Sequence, residues 1–326
     1  MVNMYGLPLP VSECKLSPME KKNCILIGVP LDCGKAKKGC LMGPDALRTV
    51  GIEQAIADQG HNVVDWGDVA PKPHADDPMD RDGVHKLAQN VAWTRALSTV
   101  AKEQMAHGLP IFMGGDHALA SGTVSGVASY AASVGRPLFA LWLDAHPDFH
   151  TPHSTSSGNL HGTPVAYVTG QAGFEDYPEL DAVLPPANVA MIGLRSVDLA
   201  EKQALQALNI SVADMRYIDE FGIKAPLVEF LDRVKAANGL LHVSLDVDFL
   251  DPAIAPAVGT TVPGGATERE GHLVMELLHD SGLVSSLDIV ELNPILDDTG
   301  KTARLMVDLL GSLLGRRIFD RTTWSF

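Results

Sequence analysis

Three apolar runs in this chain stop abruptly at acids and histidines, and that pattern constrains the fold more than any other feature. LPIFMGG ends at Asp116 and His117, LFALWL at Asp144, His146 and Asp148, and LLHVSL at Asp246, Asp248 and Asp251. A short apolar run with polar flanks reads as a strand buried on both faces, the kind that lies inside a parallel sheet. On an extended backbone alternate residues point to one side. The spacing of Asp144, His146 and Asp148 therefore predicts a strand end that presents all three side chains together, whereas a helix would fan them apart. A single DxHxD is also compatible with a solvated loop. Three ligand-ended strands in one chain favour a metal site.

Strand-like runs occur at 23–30, 61–68, 109–117, 137–148, 188–196, 211–217, 240–251 and 285–294, with helical patterns at 83–107, 118–135, 226–239, 268–282 and 303–314. The alternation is βαβ throughout, which predicts an α/β protein of three layers, helix, sheet and helix, around a mostly parallel sheet of about eight strands. Such sheets bind ligands beyond the carboxyl ends of their strands. The ligand-rich ends fall there, and Glu291 lies near the end of a fourth strand. Residues 1–326 read as one domain, with residues 1–20 an irregular N-terminal segment and 71–82 an exposed loop.

The formal charge of −15 argues against nucleic acid or an anionic membrane as partner and favours a cationic small molecule. No apolar run approaches the length of a membrane span, and no signal peptide is legible. Cys14, Cys24, Cys33 and Cys40 match no zinc or redox spacing. They read as reduced thiols of a cytoplasmic protein.

Taken in order, GVPLDCGKAKKGCLMGPDALR, GGDHALASG, WLDAHPDFH, SGNLHG, SLDVDFLDP and ELNP resemble the arginase and agmatinase family of binuclear manganese ureohydrolases, over nearly the whole chain. The resemblance implies two Mn²⁺ ions. His117, Asp144, Asp148 and Asp246 would hold one, and His146, Asp144, Asp246 and Asp248 the other, with Asp144 and Asp246 bridging. Four carboxylates and two imidazoles are a hard, oxygen-rich set that suits manganese better than zinc. A metal-bridging hydroxide would attack the guanidinium carbon of L-arginine, giving L-ornithine and urea. By the same resemblance His161 is the proton shuttle, and Glu291, a buried acid in need of a partner, receives the guanidinium. A structural ion pair is the other reading of Glu291.

Specificity for the amino-acid end of the substrate is carried over to Thr155, Ser157, Asn159 and Thr260, with Asp198 and Glu201 holding the α-amino group directly or through water. Many relatives have Asn where this chain has His150 and an acid where it has Ser196. The α-carboxylate contact of residue 150 is therefore open. The family forms trimers or hexamers, so a homo-oligomer is expected. Another ureohydrolase, acting on agmatine or a guanidino acid, is the nearest alternative. A metal-dependent deacetylase or phosphoesterase, or a metal-binding protein without catalysis, leaves the paired DxHxD and DxD sets and the SGNLHG loop unexplained.

Overall fold

In chain order the computed structural model contains β1 (Asn23–Val29), α1 (Gly43–Thr49), α2 (Ile52–Ala57), β2 (Asn62–Asp68), α3 (Leu87–Gln104), β3 (Leu109–Gly114), α4 (Ala120–Ser133), β4 (Leu138–Leu143), α5 (Pro164–Val168), β5 (Val189–Leu194), α6 (Leu199–Leu208), β6 (Ser211–Asp214), α7 (Met215–Phe221), α8 (Lys224–Ala236), β7 (Leu240–Asp246), α9 (Glu268–Ser281), β8 (Val284–Val290) and α10 (Lys301–Leu313). The structure describes residues 21–72 and 83–317. The expected irregular segment 1–20, Cys14 and most of the loop at 71–82 lie outside them. All eight expected strands are present. Helices α1, α2, α5, α6 and α7 are additional to the helical patterns named from the sequence.

The strands form one sheet in the order β2-β1-β3-β8-β7-β4-β5-β6, and every pairing is parallel. Alternation along each strand feeds two cores. In β4, Phe139, Leu141 and Leu143 face a core shared with Leu47, Ile218, Phe230, Met275 and Met306. Leu138, Ala140 and Trp142 face the opposite one, with Leu97, Val124, Val165 and Leu205. Helices α1, α2 and α7–α10 thus cover one face and α3–α6 the other. Double coverage is why the inner strands are buried along nearly their whole length and mostly apolar. Each fully buried Leu, Phe or Trp on them contributes on the order of 1.5–3 kcal/mol. The edge strand β2 instead leaves Val64 and Trp66 exposed.

After β3 the chain skips two places to lay down β4, β5 and β6, and the gap is filled later by β7 and β8. The filling brings together what the sequence scatters. The neighbours β3, β8, β7 and β4 are the four strands that end in candidate functional residues, so those ends stand side by side, roughly 4.8 Å apart. The crevice sits where the winding reverses, the usual ligand site of an open α/β sheet.

Candidate metal centre

Apart from Asp246, the last residue of β7, the acids and histidines lie just past the strands rather than on them. Strand β4 ends at Leu143, and Asp144, His146 and Asp148 follow in a tight turn. The expectation that an extended backbone alone aligns the three is corrected. Asp144 Oδ1 accepts the His146 amide at 2.6 Å, and Asp148 has a φ of 49°, in the left-handed region. Glu291 has a φ of 67°. Such strain costs on the order of 1–3 kcal/mol per non-glycine residue and gathers at functional sites, where surrounding contacts hold it. Here the Asp148 carbonyl accepts the Val165 amide at 3.1 Å and the Glu291 amide donates to Gly115 O at 2.9 Å. On β7, Asp246 Oδ1 accepts the Asp248 amide at 2.7 Å, which turns Asp248 back over the strand end. Asp116 holds its turn in the same way, accepting from Gly34 N at 2.7 Å and Ala118 N at 3.1 Å.

These turns build two groups that share Asp144. His117 Nδ1 lies 3.0 Å from Asp144 Oδ2, 3.0 Å from Asp148 Oδ2 and 3.2 Å from Asp246 Oδ2. His146 Nδ1 lies 3.5 Å from Asp144 Oδ1 and 3.0 Å from Asp248 Oδ2. The expected ligand sets are brought together, except that Asp246 shows contact with the first group only. His117 stacks flat on Trp142, with ring centroids 4.3 Å apart, and its Nε2 is 2.8 Å from Ser244 Oγ. If Nε2 carries the proton to Ser244, Nδ1 turns a bare lone pair toward three carboxylates.

His117 Nδ1, Asp144 Oδ2, Asp148 Oδ2 and Asp248 Oδ2 are buried without a hydrogen-bond partner, the first three in the His117 group and Asp248 Oδ2 in the His146 group. Burial, followed by repulsion from Asp144, pushes Asp248 up to about 6; Asp246 is driven well above the carboxylate range by burial, Asp248 and Asp144. Burial opposes charge on His146, yet Asp144 and Asp248 push it up to about 12. Four buried acids thus demand positive charge, either as protons on the imidazoles or as a cation in their place. Buried carboxylate oxygens and imidazole nitrogens gathered in two such groups are the donor sets of divalent ions.

His161 sits in a short helical turn tied through its amide to Gly34 O at 3.0 Å, with Nδ1 3.3 Å from Glu291 Oε1. Burial would lower its pKa, but Glu291 raises it. Glu291 is fully buried and is paired with Lys35; burial would raise its pKa, but Lys35 and His161 hold it well below the carboxylate range. Its partner within the chain is therefore a lysine, the ion-pair reading of this acid.

Above the metal-type groups opens a cleft of about 200 Å³ lined by His146, Asp148, His161, Asp246 and Asp248 at its base and by His150, Thr155, Ser157, Asn159, Ser196, Asp198, Glu201 and Thr260 around it. Every residue expected to bind the amino-acid end of a substrate is gathered there. Ser157 Oγ lies 3.3 Å from Thr155 Oγ1 and accepts the Asn159 amide at 3.3 Å, and Asn159 Oδ1 is buried without a partner. His150 Nε2 is 3.1 Å from Asp198 Oδ2. Glu201 lines the cleft but is buried, and its two oxygens accept the Phe149 and Asp198 amides at 3.0 and 3.1 Å. It ties the ligand turn to α6.

Sequence reasoning missed Lys35, Ser244 and Arg195. Ser244 had a signal, since it alternates with Asp246 in an apolar strand. Arg195 donates to the carbonyls of Asp248 and Val262, at 2.5 and 2.7 Å, and so fastens the Thr260 loop to a metal-type turn. Lys35, in a basic run, had none.

The Arginase family profile matches residues 22–315. An arginase of Brucella melitensis biotype 1 is 58% identical over 305 residues, 93% of this chain and 100% of the relative, and one of Agrobacterium fabrum is 57% identical over 94% of this chain and 95% of the relative. The crystal structure of an arginase from Bacillus subtilis, 36% identical, superposes with a TM-score of 0.82 over 91% of this chain and all of that one. On its parallel sheet, its paired acid and histidine groups and these relatives, the chain belongs to the arginase family and is a ureohydrolase.

Proposed function

We propose that this enzyme hydrolyses L-arginine to L-ornithine and urea with two Mn²⁺ ions. The observation that carries the reading is a single cleft with ion-binding groups at its base and the Thr155–Asn159 loop with His150 and Asp198 around it. That layout fits a guanidinium at one end and an α-amino acid at the other. His117, Asp144, Asp148 and Asp246 would hold one ion, and Asp144, His146 and Asp248 the other, with Asp246 the remaining bridge. When bound, such ions supply a nucleophile near neutral pH and polarise the reacting centre. The chain's own residues do the rest. With Nδ1 engaged by Glu291, His161 keeps Nε2 to pass a proton to the departing amine. Ser157, Asn159 and Thr155 offer donors to the α-carboxylate, Asp198 receives the α-ammonium, and Thr260 closes the rim.

The test is urea release from arginine, agmatine and 4-guanidinobutyrate with added manganese. Arginine is expected to win by orders of magnitude in kcat/KM, because each polar group left unpaired by a truncated substrate costs about 1–3 kcal/mol. Asp198→Ala should raise the KM for arginine and narrow the gap to substrates without an α-amino group, with metal content unchanged. Equal efficiency on agmatine would instead favour a different guanidino substrate. The observation behind that reading is that His150 already engages Asp198.

Manganese is expected to raise the melting temperature and a chelator to reverse it, since an ion that binds only the folded chain adds about 2.7 kcal/mol at a hundredfold excess over its Kd. Scanning calorimetry with and without Mn²⁺ checks this; no shift would remove the ions from the reading. A cytoplasmic location belongs to the same proposal, supported by Cys24, Cys33 and Cys40 being free thiols. So does a homo-oligomer. Among the described residues no helix is long and apolar enough to cross a membrane.

A further inference from the structure

The acid expected to receive the substrate guanidinium has no oxygen to spare. Glu291 Oε1 accepts the His117 amide at 2.8 Å and faces His161 Nδ1 at 3.3 Å. Oε2 accepts Lys35 Nζ, and Cys40 Sγ lies 3.8 Å from it. The side chains of Lys35 and Glu291 are 3% and 1% exposed, and Glu291 is not among the residues that line the cleft. A guanidinium in the cleft reaches this carboxylate only by taking the place of the ammonium.

The placement of Lys35 is built into the backbone. Gly34, the residue before it, donates its amide to Asp116 Oδ2 and accepts the His161 amide at its carbonyl, so the segment is pinned between the β3 turn and the His161 loop. Gly115 allows this approach, because a Cβ there would lie 2.0 Å from Leu31 O. On the other side Gly259, next to Thr260 of the cleft rim, lies over the ammonium: a Cβ at Gly259 would come within 3.0 Å of Lys35 Nζ. Residues 36–38 are exposed, so the outer part of the loop is not packed down.

We propose that Lys35 is a tethered cation that occupies the guanidinium position on Glu291 and sets the affinity of the cleft for the guanidinium end of its substrate. The proposal rests on the reading of Glu291 as the guanidinium acceptor. Displacement vacates Oε2 only, since Oε1 keeps the His117 amide and His161; a lysine brings a compact, strongly hydrated point charge, whereas a guanidinium is planar and more weakly hydrated. The substrate therefore displaces Lys35 through shape and a lower cost of leaving water rather than greater charge. Until it does, Lys35 gives the buried carboxylate an ammonium at Oε2, beside the His117 amide and His161 at Oε1. The apparent affinity equals the intrinsic one multiplied by the fraction of molecules in which Glu291 is open.

Lys35→Gln and Lys35→Arg test this in opposite directions. Removing the charge in Lys35→Gln is expected to lower the KM for arginine about tenfold, as the open fraction rises. Lys35→Arg places a guanidinium on Glu291 and should raise KM by a similar factor. A purely structural lysine predicts the reverse, with the arginine variant tolerated and the glutamine variant impaired. If Lys35→Gln does not fold, an unchanged or lower KM in Lys35→Arg overturns the proposal by itself. A second readout needs no turnover: the free guanidinium ion, titrated calorimetrically at millimolar concentration, should bind Lys35→Gln more tightly than the wild type. If the wild type releases urea from no guanidino compound, the function proposed above fails and this titration alone judges Lys35. Tighter binding sustains the proposal, and equal or weaker binding overturns it.

Discussion

Asp144→Ala is expected to abolish the binding of both ions and to bring turnover to background, the largest effect of any single substitution in this chain. Asp144 is the residue common to the two groups: one oxygen faces His117 at 3.0 Å and the other faces His146 at 3.5 Å. Removing it takes a ligand from each site. It also frees the His146 amide, which Asp144 Oδ1 accepts. Losing a mere outer-shell partner of a metal typically costs 10–100-fold, so the loss here should exceed about 100-fold. His117→Ala and Asp248→Ala each touch one group and should leave about one ion per chain. Elemental analysis of the purified variants, beside urea release, separates these outcomes. Folding is checked by the melting temperature in chelator, which should stay near that of the wild type while the gain on adding manganese disappears. An Asp144→Ala protein that keeps two ions per chain and near-normal turnover would refute the binuclear assignment.

His161→Ala should retain both ions and lose turnover by roughly 10²–10⁴, the usual contribution of a positioned proton carrier. His161 is not part of either metal-type group, and its fold-bearing contact is the backbone hydrogen bond from its amide to Gly34 O, which alanine preserves. Glu291 keeps Lys35 and the His117 amide as partners, so no buried charge is left alone. The loss should appear in kcat more than in KM. Partial recovery with small exogenous imidazoles would mark the missing function as proton transfer. An unchanged rate without them would show that another group, or water, carries the proton.

Much of this was legible in the sequence because it is local. The continuous burial of β3, β4 and β7, whose alternate side chains feed two cores, follows from double coverage, and their short, mostly apolar runs predict inner strands of a parallel sheet. The acids and histidines at the strand ends are readable for the same reason: an abrupt change from apolar to ligand types has few explanations. Local pattern stops being enough where the backbone turns. Alternation predicted that Asp144, His146 and Asp148 converge, and they do, but through a bend and a left-handed Asp148 that no periodicity encodes.

What the sequence determined by itself was the inventory: the strands, their parallel arrangement and the metal-type residues, each carried by a short pattern with its own physical reason, while His161 and the Thr155–Asn159 loop came with the family resemblance. Only the tertiary structure decided adjacency. The order β3-β8-β7-β4 sets His117, Glu291, Asp246 and Asp144 side by side although the chain passes through them in a different order, because β7 and β8 enter a gap left open earlier. The same long-range packing gave Glu201 two backbone amides to hold, set Ser244 behind His117 and delivered Lys35 across 256 residues to Glu291. A buried charge takes its partner from whatever the fold brings within reach, and that is a property of three-dimensional packing rather than of spacing along the chain.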